Sequence, residues 1–123
     1  FKIKKMNMDK PKIVVLCGSL RFRKLFEEKE LQFIEWGWIV LMPCCFWVDA
    51  ERSDEFSVYK EQFDKLHLKK IDIADLVYVI NHDCYIGEST QKEIEYATKS
   101  RKKVQFMEDV LKGTNHIGRL RIG

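Results

Sequence analysis

Lys12 to Cys17 reads KIVVLC, a β-branched run without period-2 alternation. Such a run suits a strand covered on both faces, as in a parallel sheet. Gly18 and Ser19 break it. From Leu20 to Glu35, Phe22, Leu25, Phe26 and Phe33 recur at helical spacing, and Gly37 is placed to end that helix. Trp38 to Met42 (WIVLM) reads as a second buried strand, stopped by Pro43. Tyr59, Phe63, Leu66 and Ile73 mark a helix over 57–73, Asp75 to Ile80 (DLVYVI) a third buried strand, Thr90 to Ser100 a third helix, and Lys103 to Met107 (KVQFM) a fourth strand. Residues 44–56 show no clean period and read as a long loop with room for a helical turn. The segment from Asp109 to Lys112 reads as one further short helix.

The alternation β-α-β-α-β-α-β predicts an α/β fold, a flavodoxin-like (Rossmann-like) three-layer sandwich with a parallel sheet of four or five strands in the order 2-1-3-4. Sheets of this class bind ligands beyond the carboxyl ends of their strands, at the switch point between the first and third. That places Cys17 to Arg21, Pro43 onward, and Asn81 to Glu93 around one crevice. Residues 1–11 read as a flexible extension and residues 12–123 as a single nucleoside- or nucleotide-binding domain.

Composition adds exclusions. The formal charge is +3 with a third of the residues charged, and basic residues are interspersed with acidic ones. A mixed surface of this kind gives no footprint for a nucleic-acid polymer. No apolar stretch is long enough to span a bilayer, so no membrane contact is expected. Cys17, Cys44, Cys45 and Cys84 form no C-x-x-C pair, and the vicinal Cys44 and Cys45 cannot bridge without strain. The opening FKIKKMNMDK lacks an apolar secretory core, and Met8 could be the natural start. Together these features give the expectation of a cytoplasmic protein with reduced thiols. His82 and His116 show no ligand spacing, so neither a metal site nor a cofactor is expected. Trp36, Trp38, Phe46 and Trp47 are many large aromatics for a small chain, and they lead to the expectation of a homodimer.

Two segments carry candidate chemistry. In Cys17-Gly18-Ser19-Leu20-Arg21, Gly18 permits a tight turn, Ser19 can cap the following helix, and free backbone N–H groups with Arg21 can hold a phosphate. A plain Gly turn with a Ser cap accounts for the same residues. In Gly87-Glu88-Ser89-Thr90-Gln91-Lys92-Glu93, Thr90 and Glu93 form a potential capping box. Glu95 has Lys99 four residues on, which marks an exposed pair, whereas Glu93 has Ala97 there and lies beside the apolar stripe. Glu93 is thus the carboxylate nearer the sheet. His67 follows Phe63 by four residues and lies on or beside a buried helix face, where core packing is the plainer role. Cys17 reads first as a small buried hydrophobe.

KIVVLCGSLR, the strand ADLVYVI and the stretch GESTQKEIEYA resemble the nucleoside 2-deoxyribosyltransferase superfamily, nearest to its branch of (deoxy)nucleoside 5′-monophosphate N-glycosidases, which share a C-G-S-x-R turn. The resemblance spans roughly residues 12–104. It implies a dimer acting on a nucleoside or nucleotide, with Glu93 as nucleophile through a covalent glycosyl ester. It puts the 5′-phosphate on Gly18, Ser19 and Arg21, with Ser89 adding a hydroxyl, and placement around the crevice adds Cys17, Leu20, Asn81 and Gly87 to the expected substrate site. Three positions depart from the family pattern. His67 stands where a family Asp protonates the base or orients the sugar, Val15 stands for a Tyr, and Glu95 for a Gly. His67 could supply acid catalysis. The functions implied are cleavage or transfer at the N-glycosidic bond of a nucleoside 5′-monophosphate, a 2-deoxyribosyltransferase on unphosphorylated nucleosides, or a non-catalytic nucleotide-binding module.

Overall fold

The computed structural model describes residues 10–44 and 53–109. Its elements are β1 (Ile13–Gly18), α1 (Arg23–Glu35), β2 (Ile39–Leu41), α2 (Ser53–Phe56), α3 (Lys60–Ile73), β3 (Leu76–Ile80), α4 (Glu88–Lys99) and β4 (Lys103–Phe106). Single 3₁₀ turns precede α1 and α3, and another follows β3. The sheet is all parallel in the order β2-β1-β3-β4, with Cys17 beside Val79 and Gly18 beside Ile80. This is the flavodoxin-like arrangement expected from the alternating elements.

The strand pleat divides the core in two. Val14 and Leu16 of β1, with Leu76, Tyr78 and Ile80 of β3, pack on Phe26 and Phe33 of α1. Val15 and Cys17, with Val77 and Val79, face the other way, onto Ile71 of α3 and Ile94 and Ala97 of α4. Burying side chains of this size stabilises by about 1.5–3 kcal/mol each. Continuous apolar runs in β1 and β3 are therefore required, because both faces of each central strand are covered. WIVLM departs from that expectation. β2 lies at the sheet edge, where Ile39 is 45% exposed and Val40 and Leu41 are only half-buried.

Local chemistry sets the ends of the elements. At the end of α1 the Gly37 and Trp38 N–H groups bond to the Ile34 and Phe33 carbonyls, and Gly37 takes φ 89°, the glycine-favouring end of a helix. At the entry to β1 the Ile13 N–H donates to the Asp75 carboxylate at 2.8 Å, tying β1 to the start of β3. Trp36 is exposed and Trp38 packs half-buried on the α1 side of the sheet. Phe46, Trp47, Cys45, His116, the extension over residues 1–9 and most of the expected final helix lie outside the described residues. Among the described residues, no helix is long and apolar enough to cross a membrane.

Gly18 ends β1 with φ 149°. A Cβ there would meet the Ile80 carbonyl oxygen at 2.8 Å and the Ile80 Cβ at 3.2 Å. Gly87 has an ordinary φ of −77°, and its nearest clash would be with the Tyr85 hydroxyl at 3.4 Å. Gly18→Ala is therefore expected to lower unfolding free energy by about 1–3 kcal/mol. Gly87→Ala should cost only about 0.5 kcal/mol as a helix-cap exchange. Urea denaturation of both variants checks this, and equal losses would contradict the close approach at Gly18.

Candidate active site

A crevice of about 400 Å³ lies beyond the carboxyl ends of the strands, a size ordinary for small-molecule sites. The turn after β1 supplies Gly18, Ser19 and Leu20, the segment after β2 supplies Pro43 and Cys44, and the N-terminal half of α4 supplies Gly87 to Thr90 and Glu93. Its third wall is α3, through Lys60, Phe63, Asp64 and His67. A second hollow of about 370 Å³ shares Lys60, Asp64, Glu88, Ser89 and Glu93 with the first.

α4 begins earlier than the sequence pattern suggests. Gly87 is the N-cap and Glu88 the first helical residue, so Thr90 is helical and buried. The capping box between Thr90 and Glu93 is absent, because a box needs its threonine at the cap. Glu93 lies in the second turn, facing α3, with its side chain 15% exposed. Glu95, two residues on, is exposed and accepts a hydrogen bond from Gln91.

Glu93 meets two other buried groups. The Cys17 sulfur lies within 4.8 Å of its carboxylate, and its Oε1 lies 3.8 Å from His67 Nε2. His67 Nε2 is in turn 3.3 Å from Cys17 Sγ. Placing the imidazole proton on Nε2 lets it donate to the Cys17 sulfur. Nδ1 is then a bare acceptor, and it is the buried side-chain atom without a hydrogen-bond partner among the described residues. The opposite tautomer would strand an N–H there, a costlier arrangement.

Burial dominates the electrostatics. It pushes the Glu93 carboxyl up from 4.5 to about 7; the Cys17 thiol and Lys60 pull the other way, and Asp64 adds to the rise. Burial likewise brings His67 down from 6.5 to about 4, helped by the positive charge of Lys70 and opposed by Asp64. The Cys17 thiol is held well above its ordinary value by burial and by Glu93. His67 and Glu93 are therefore not an ion pair at neutral pH, since the imidazole is uncharged, and 3.8 Å is too long for a hydrogen bond.

Several expected site residues take other roles. Arg21 does not line the crevice. Its guanidinium stacks on the Tyr85 ring at 4.1 Å and donates to the Tyr85 hydroxyl at 3.3 Å. Asn81 is fully buried and structural: its side chain accepts from the Glu108 N–H and donates to the Glu108 carbonyl, tying β3 to the chain after β4. Cys17 lies behind the crevice wall, reaching Glu93 from β1. His67 lines the crevice, and its burial lowers its pKa to about 4, which favours the uncharged imidazole at neutral pH. Gly18, Ser19, Leu20, Gly87, Ser89 and Glu93 do converge. Ser19 also caps the 3₁₀ turn, accepting from the Arg21 N–H at 3.2 Å.

Lys60 and Asp64 escaped the sequence reading. Lys60 Nζ donates to Asp64 at 2.9 Å and to the Ser89 hydroxyl at 3.3 Å, bridging α3 to the start of α4. Their signal was the spacing: Lys60, Asp64 and His67 fall at i, i+4 and i+7 on one face of α3.

The raised pKa of Glu93 has a stability consequence with a definite sign. The folded state holds its proton more tightly than the unfolded chain, so this contribution is complete below about 4.5 and is lost as pH rises through about 7. Glu93→Gln removes the loss. Its stability relative to wild type is expected to rise between pH 4.5 and pH 8 by on the order of 2 kcal/mol. Thermal melts across that range check this, and a difference that does not change with pH would contradict the burial of the charge.

Comparison with known proteins leaves the site to speak for itself: no protein-family model, no curated protein and no solved structure matches the chain.

Proposed function

We propose that the chain cleaves or transfers at the N-glycosidic bond of a nucleoside 5′-monophosphate, with Glu93 as nucleophile. The observation that carries this reading is a mostly buried carboxylate facing a small-molecule crevice at the switch point of the sheet, with its pKa near 7. A carboxylate used only for helix capping or surface charge would not be held there. Desolvation makes the ionised form a stronger nucleophile, and positioning of the sugar against it supplies much of the rate.

The step is a double displacement. A Glu93 carboxylate oxygen bonds to C1′ as the C1′–N bond breaks. The base nitrogen keeps the bonding pair and takes a proton from solvent at the crevice mouth. Water, or the nitrogen of an acceptor base, then attacks C1′, the C1′–O bond to Glu93 breaks to return its carboxylate, and the attacking group's proton passes to solvent. The neutral His67 adds no charge that would pair off the nucleophile.

Lys60 takes the phosphate role once assigned to Arg21. It is the cation among the described residues lining the crevice, and it sits with the hydroxyls of Ser19 and Ser89 and the first N–H groups of α4. A phosphate there receives a charge-assisted contact and the positive end of a helix dipole.

Release of free base from deoxy- and ribonucleoside 5′-monophosphates, and from the matching nucleosides, tests the reading. Glu93→Gln should lose turnover by roughly 10³-fold or more while Glu95→Gln stays near wild type. Lys60→Ala should raise KM for the monophosphate by about tenfold and leave the nucleoside unaffected, and Arg21→Ala should change neither. Wild-type turnover in Glu93→Gln overturns the mechanism. Turnover confined to unphosphorylated nucleosides favours the deoxyribosyltransferase, and saturable nucleotide binding without turnover favours a binding module.

A further inference from the structure

Cys17 Sγ, His67 Nε2 and a Glu93 carboxylate oxygen lie within 4.8 Å of one another. They come from β1, α3 and α4, so three separate elements converge on one point. The sulfur–nitrogen separation is 3.3 Å and the nitrogen–oxygen separation 3.8 Å. A tetrahedral zinc ion, with Zn–S of about 2.3 Å and Zn–N or Zn–O of about 2.0–2.1 Å, holds its donors roughly 3.3–3.6 Å apart. The sulfur–nitrogen and nitrogen–oxygen separations each lie within about half an ångström of that spacing, and the sulfur–oxygen pair is within 4.8 Å. The geometry points to a zinc-type divalent-metal site formed by Cys17, His67 and Glu93, with its fourth position open to the crevice.

Charge balance favours that occupant. A buried site disfavours net charge. Zinc carries two positive charges, the Cys17 thiolate and the Glu93 carboxylate carry one negative charge each, and His67 is neutral. On binding, the S–H proton and any proton held by the Glu93 carboxyl go to solvent and the Nε2 proton moves to Nδ1, an unpartnered N–H whose cost the three metal bonds must exceed, leaving a site of zero net charge. Thiolate, imidazole and carboxylate are all ordinary zinc donors, and a set of three with an open position is the pattern that admits a small ligand. Magnesium and calcium are excluded by the same donors, since both take oxygen. The exposed cluster of His82, Asp83 and Glu108 differs, since both His82 nitrogens face carboxylates within 3.4 Å. Resting on the function proposed above, one consequence is that zinc takes the lone pair of the nucleophile, so an occupied site is an inhibited enzyme.

Cobalt(II) titration of the EDTA-stripped chain, without substrate, reads the site directly. One equivalent should produce the intense visible bands of tetrahedral cobalt with a near-ultraviolet thiolate charge-transfer band, and zinc should displace it. Cys17→Ser should abolish the charge-transfer band. Glu93→Gln and His67→Gln should each weaken affinity by about tenfold or more. Cys84→Ala and His82→Ala should bind as wild type. Circular dichroism shows which variants are folded, and if Cys17→Ser is not, the decision passes to Glu93→Gln. No cobalt–thiolate band, a band that survives Cys17→Ser, or unchanged affinity in a folded Glu93→Gln overturns the site. Base release measured with and without added zinc is a separate readout: turnover in a protein that binds no metal defeats only the metal site, and metal binding in a protein that shows no turnover even when stripped defeats only the proposed function.

Discussion

The close approach of β1 to β3 at Gly18 is the contact from which the crevice follows. With no side chain on Gly18, the Ile80 carbonyl oxygen comes within 2.8 Å of the point where a Cβ would stand. The end of β1 can therefore lie flat beside the end of β3, pairing Cys17 with Val79 and Gly18 with Ile80. The strand pleat then sends Cys17 toward α3 and α4, where its sulfur reaches both His67 and Glu93. The chain turns outward at Ser19, leaving the top of the sheet open.

Everything chemical at the site comes from burying groups that prefer water. A carboxyl, a thiol and an imidazole share one poorly solvated volume, and each moves toward its neutral form: the acid and thiol upward in pKa, the imidazole downward. Proteins rarely keep such groups together for stability alone. Lys60 and Asp64 stand at the more exposed side, joined to each other and to Ser89. The site thus has a dry end around Glu93 and a more exposed polar end where Lys60 pairs with Asp64.

Where local pattern and tertiary context agreed, the sequence was legible. The runs KIVVLC and DLVYVI read as buried parallel strands because both their faces are covered, and helices of opposite sides alternate between them. WIVLM looked equally buried but sits at an edge, since strand position follows from the crossover order and not from five apolar residues. The start of α4 was misplaced because Thr90 and Glu93 match a capping signature by spacing alone, while Gly87 takes the cap. Glu93 was identifiable from its place on the apolar side of that helix. Arg21 and Asn81 were not, because their partners, Tyr85 and Glu108, are 64 and 27 residues away and leave no local trace. Lys60 and Asp64 acquire meaning only when α3 is seen to wall the crevice.

The central claim is that a bond forms between Glu93 and the sugar. Acid quench of the protein during turnover of a nucleoside 5′-monophosphate, followed by mass spectrometry of its peptides, looks for that bond itself. The account predicts a peptide carrying Glu93 heavier by one sugar-phosphate residue, with none on the peptide in Glu93→Gln. Base release that proceeds with no adduct, or with the added mass on another residue, would contradict it.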